Sequence, residues 1–89
     1  MSAKYLKTFF EEKGIDREER FTVEGVEHPV FGKHEMPYGV VIDTIMQAPK
    51  DEQKKIADMI RRIDFQNGDV KHYLRHLAKA IAAKMNEEE

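Results

Sequence analysis

Apolar residues return at helical spacing in four stretches of this chain, separated by turn chemistry. Tyr5, Leu6, Phe9 and Phe10 share one face of a first helix that Ser2 suits as N-cap and Lys13-Gly14 ends. Ile15, just past the glycine, is placed to pack back on Phe10. Asp16 to Arg20 is a polar connector. Phe21-Thr22-Val23-Glu24 then alternates in the manner of a short strand, and Glu24-Gly25 marks a turn. Val26 to Phe31 reads as the returning strand, confined to an edge because Pro29 has no N–H to give. Gly32 to Met36 reads as loop.

Pro37 fits the first position of a second helix, in which Tyr38, Val41, Ile42 and Ile45 follow the helical template with Met46 beside them. Val40-Val41-Ile42 also has strand propensity, but the polar pair Asp43-Thr44 between apolar pairs favours helix. Pro49 stops that helix and can start the next, which carries Asp51 and Glu52 in its first turn. Its stripe is Ile56, Met59, Ile60 and Ile63. The last helix carries Val70, Tyr73, Leu74, Leu77 and Ile81, with Met85 beyond. Ala78, Ala80, Ala82 and Ala83 raise its helix propensity.

The last two helices meet at Ile63–Val70. Asn67-Gly68 tolerates left-handed backbone angles, so one helix ends near Gln66. Asp69 suits an N-cap that accepts from the N–H of Lys71 or His72. Such a corner is more often a packing device than a DNA reader. Phe65, off the main stripe, is expected to fold back against Tyr73 or Leu74. The predicted class is therefore mainly α (α+β): about four helices, with a two-stranded hairpin inserted between the first and second. The 89 residues make a single domain, with 87–89 as a frayed acidic tail.

Composition narrows the function classes. The chain has no cysteine and no tryptophan, which removes disulfides, thiol chemistry and cysteine zinc sites. No signal-peptide pattern opens it and no apolar run spans a bilayer, so the expectation is a cytoplasmic protein away from membranes. Net charge is −2, unevenly spread: −3 over residues 1–48, +4 over 49–86, and −3 in the tail.

The basic second half supplies the candidate site. Lys71, Arg75, His76 and Lys79, with His72, cluster on the outer face of the last helix, and Lys54, Lys55, Arg61 and Arg62 add charge from the helix before it. Such cations can neutralise phosphates, and nucleic-acid binding is the alternative reading. Against it stand the negative overall charge and the lack of an Asn or Gln at a base-reading position.

His72 and His76, four apart, share a face and can hold a metal together, with His28, His34 or Glu35 as a third ligand only through the fold. Two solvent-facing histidines are the plainer reading, and no metal or other cofactor is expected. Ser2 is the only serine, and Thr8, Thr22 and Thr44 have no recognisable base arrangement. Gly25, Gly32 and Gly39 are too far apart for a phosphate loop. The expectation is a non-enzymatic interaction or regulatory protein that meets a protein partner or a second copy of itself. Met36, Met46, Met59 and Met85 would serve as adaptable packing residues.

Three further stretches carry a family likeness: Tyr5-Leu6-Lys7-Thr8-Phe9-Phe10-Glu11-Glu12-Lys13, Ala48-Pro49 followed by Glu52-Gln53, and the corner's Asp69-Val70 with Tyr73-Leu74. Together they resemble small uncharacterised proteins encoded by bacteriophages and prophages. The likeness covers most of the chain and is least secure over Val26–Met36. It implies a phage-type origin and brings no catalytic or binding residues with it.

Overall fold

The computed structural model describes residues 2–88, with side chains from Lys4 onward. In chain order it contains α1 (Ser2–Glu12), β1 (Arg20–Thr22), β2 (Glu35–Pro37), α2 (Tyr38–Gln47), α3 (Lys50–Phe65) and α4 (Val70–Glu88). The class is the expected one, mainly helical with a two-stranded antiparallel hairpin between α1 and α2. Ser2 is already helical, and its side chain lies outside the described residues, as does Glu89. Glu87 and Glu88 lie within the span of α4.

The hairpin's second strand is not Val26–Phe31. Phe21 pairs with Met36, Arg20 with Pro37 and Thr22 with Glu35. The cause is local. Pro29 removes one donor, and the imidazole Nδ1 of His28 accepts from the N–H groups of Val30 (3.0 Å) and Phe31 (3.2 Å). Those N–H groups are thereby lost to a ladder. Glu35–Pro37 instead sends Met36 into the core beside Val23, and Val23 N–H extends the pairing by donating to His34 O at 2.7 Å. The chain then enters α2 with Pro37 as N-cap, so that the helix begins at Tyr38, one residue later than expected. Gly39 is fixed by a close approach: its N–H donates to Arg17 O at 2.9 Å, the distance at which an added Cβ would meet the same oxygen.

The α3–α4 corner forms as its residues predict. Asn67 takes the left-handed conformation (φ 59°), Gly68 N–H donates to Ile63 O at 2.7 Å and Asn67 N–H to Asp64 O at 3.0 Å. These are the paired bonds of a Schellman end. Asp69 then caps α4, its carboxylate accepting from Lys71 N–H at 2.9 Å. Phe65 does not fold back. It is 89% exposed, because it lies on the flank of α3 away from the core helices.

The buried faces are turned from the expected stripes. On α3 the fully covered positions are Gln53, Ala57 and Ile60, with Ile56 and Ile63 at the margin and Met59 exposed. On α4 they are Val70, Leu74, Ala78 and Ala82, with Tyr73, Leu77 and Ile81 at the margin and Met85 exposed. The reason is partnership. α3 packs mainly on α1 and α4 mainly on α2, rather than chiefly on each other. The small Ala78 and Ala82 let α2 come close to α4, and Gln53 is buried because its Nε2 donates to Met46 O and Ala48 O, both at 2.8 Å. One glutamine thereby satisfies carbonyls that the end of α2 leaves open. Leu6, Phe9 and Phe10 of α1, Tyr38, Val41, Ile42 and Ile45 of α2, and Met36 complete the core.

Candidate functional site

The eight candidate cations lie along three lines. Arg61 turns toward α1, its guanidinium 4.1 Å from the centre of the Tyr5 ring and 3.7 Å from Asp58. Lys54, seven residues earlier, shares that flank. Lys55 and Arg62, also seven apart, run along the next line of α3, and Lys55 borders a groove with Leu77 and Ile81 of α4. Lys71, Arg75, His76 and Lys79 are on α4.

Two of those on α4 are internally engaged. Lys71 Nζ lies 3.0 Å from Glu19 Oε2, and its pKa is raised, first by that hydrogen bond and then by the Glu19 charge. Arg75 donates to the hydroxyl of buried Tyr38 at 2.9 Å and reaches Asp69 at 3.5 Å. These contacts fasten α4 to the connector before β1 and to the start of α2, and compensate both cations. His72 and His76 are exposed, as their spacing predicts. They stand with Arg75 and Lys79 around an open cleft of about 380 Å³ whose other wall is Thr22 and Glu24. Glu24 puts a negative charge there, so the cleft is a mixed surface. Among the described residues no group of three His, Asp or Glu comes together to hold a metal ion; His28, His34 and Glu35 do not join the α4 pair.

A second surface was not recognised as a site from the sequence. Residues 28–32, His-Pro-Val-Phe-Gly, form a turn at the end of the hairpin loop that carries Val30 at 77% and Phe31 at 79% exposure. The turn is held from within. His28 Nδ1 accepts the two N–H bonds already given, its ring lies 4.8 Å from that of Phe31, and Gly32 N–H donates to His28 O at 3.1 Å with Gly32 at φ 80°. The base of the loop is anchored too. His34 is buried, its ring 5.8 Å from that of His28, Val26 packs on the core, and Asn86 near the end of α4 donates to Glu27 O at 2.9 Å. Proline at the second position of a four-residue turn, with glycine soon after, is the signal that could have found it. The alternation of Val26 and Val30 around Pro29 concealed it.

Comparison with protein-family models, with curated proteins and with solved structures finds no match to this chain.

Proposed function

We propose that this chain is a non-enzymatic interaction protein that docks onto a protein partner through the Val30–Phe31 tip. One observation carries the reading: two large apolar side chains stand in solvent on a turn whose backbone is fixed by His28. Ordering a loop on binding costs free energy, and a loop already held in shape avoids most of that cost. Aromatic side chains, phenylalanine among them, are also enriched at protein–protein interfaces. The phage or prophage origin is part of the same proposal and rests on the likeness around Tyr5–Lys13, the Ala48-Pro49 junction and the corner. So is a cytoplasmic setting, supported by the chain's lack of cysteine. Among the described residues no helix is long and apolar enough to cross a membrane.

Nucleic-acid binding is the second reading. What favours it is that His72, His76 and Lys79 have no acidic partner among the described residues. Capture by the tagged full chain from a bacterial lysate, with and without nuclease, separates the two. The expected result is a protein partner that survives nuclease and the double variant His76→Ala/Lys79→Ala. The double variant Val30→Ser/Phe31→Ser should reduce its capture at least tenfold. Capture that disappears with nuclease and with His76→Ala/Lys79→Ala, but survives in the tip variant, overturns the proposal in favour of phosphate binding.

A further inference from the structure

The turn that carries the tip is closed on one ring nitrogen. His28 Nδ1 accepts from the N–H of Val30 at 3.0 Å and from that of Phe31 at 3.2 Å. A neutral imidazole has a single acceptor nitrogen. An imidazolium has none, because both ring nitrogens then carry protons. A proton on Nδ1 would point at two N–H groups, and rotating the ring does not help, since Nε2 is a donor as well. The closed turn and the charged ring therefore exclude each other. Imidazole is also the side chain that ordinarily changes charge between about pH 5 and pH 8.

A second imidazole stands behind the first. His34 is buried, its ring 5.8 Å from that of His28, and its Nδ1 has no hydrogen-bond partner among the described residues. Charging His34 would bury an N–H with no acceptor, and two imidazolium rings at that separation repel. His28 is only half-buried and is the ring that a proton from solvent reaches first. The charged groups around it on the loop are Glu27 and Lys33, with Glu24 and Glu35 at the loop's two ends. From α4, which packs against the loop base, the contact is made by the neutral Asn86. These loop charges are net negative, so they favour an imidazolium and do not protect the turn from one.

We propose that mild acid unlocks this turn: a proton taken up by His28 at Nδ1 displaces the N–H groups of Val30 and Phe31, and the tip passes from a held to a mobile loop. The opening is local. Residues 29–33 are exposed, so the turn opens without uncovering the core, while Val26 and the bond from Asn86 to Glu27 O still fasten the base. In its functional part the inference rests on the reading of the tip as a docking element and supplies its regulation. A mobile tip must be ordered again on binding, so the partner is held less tightly in mild acid.

The test is residue-resolved NMR of the full chain from about pH 7.5 down to about pH 5, the range in which imidazole titrates. It follows the ring nitrogens of His28 and the amides of Val30 and Phe31. Two variants accompany the natural sequence. In His28→Asn the side-chain oxygen can accept the same N–H groups, as in an Asx turn, and does not titrate. His34→Gln removes the second imidazole. The amides of Ile60 and Leu74, both in the core, report whether the chain stays folded. In the natural chain the Val30 and Phe31 signals should move with the same midpoint as the His28 ring. Their protection from solvent exchange, corrected for pH, should fall at least tenfold. His28→Asn should keep that protection throughout, and His34→Gln should still unlock.

A charged His28 ring beside fully protected Val30 and Phe31 amides overturns the proposal, as does an equal loss in His28→Asn. Loss of protection at Ile60 and Leu74 with the same midpoint would mean global acid unfolding and overturns it too. Capture of a lysate partner by the natural chain should fall at least tenfold across the same pH range and hold steady for His28→Asn. A turn that unlocks while capture is unchanged refutes the regulation. If Val30→Ser/Phe31→Ser captures normally at neutral pH, the docking reading falls and the unlocking stands.

Discussion

Gly68 and Asn67 divide the work of the α3–α4 corner in a way their pairing conceals. Asn67 takes the left-handed angle, while Gly68 is needed for space. A Cβ there would meet Ile63 Cγ2 at 2.7 Å and Ile63 O at 3.0 Å. Gly68→Ala should therefore cost about 1–3 kcal/mol, as overpacking does. In a domain of this size that lowers the melting midpoint by roughly 5–20 °C. Asn67→Gly should change stability by less than about 1 kcal/mol, since relief of left-handed strain opposes a looser unfolded chain. Thermal melts of the two variants check the division, and equal effects would refute it. His28 is the other residue with a role of its own. Because Nδ1 accepts two N–H bonds, its proton sits on Nε2 in the folded chain. His28→Phe keeps a ring beside Phe31 but removes the Nδ1 acceptor of both N–H bonds. Amide exchange at Val30 and Phe31 should accelerate at least tenfold while the core amides are unchanged.

Among the elements, Gln53 and the alanines of α4 hold α2 in place. Gln53→Leu removes both donors to Met46 O and Ala48 O and should cost about 1–3 kcal/mol, measured by denaturant unfolding. Ala78→Leu should cost a similar amount by forcing α2 away from α4. Helix existence was legible in the chain because periodicity and caps agree: Gly14, Pro49, Asn67 and Asp69 each stand where their backbone chemistry demands. Helix orientation was only partly legible. Aliphatic stripes such as Ile56–Met59–Ile63 mark a wide face, and which part of it is covered depends on the partner helix. Alanine and glutamine carry little hydropathy, so Ala57, Ala78, Ala82 and Gln53 gave no sign of their burial. The second strand was misplaced because a side-chain acceptor, His28, competed with the ladder, and that competition leaves no mark in an alternation pattern. For the candidate site, cation positions were legible but their pairing was not. Lys71 meets Glu19 across 52 residues of chain, and Arg75 meets Tyr38 across 37.

At the scale of the whole molecule, part of the charge is paired across elements, as in Lys71–Glu19 and Arg17–Asp43, while Val30 and Phe31 project into solvent. Two titratable groups make stability depend on alkaline pH. Tyr73 is raised above its ordinary value of about 10 by burial, and Lys71 above its ordinary value by Glu19. For both, the unfolded chain loses its proton first as pH rises. Their contribution is thus complete below about pH 10 and is lost as pH climbs through the raised folded values. The melting midpoint should fall between pH 9 and pH 11. Tyr73→Phe should flatten that fall, and an unchanged slope would contradict it.

The role of the tip is tested most directly by residue-resolved amide NMR on the free chain and on its complex with a captured partner. Val30, Phe31 and Gly32 should show the largest shifts and gain protection, while His72, His76 and Lys79 barely change. Large changes along that outer face of α4 with a silent tip would contradict it.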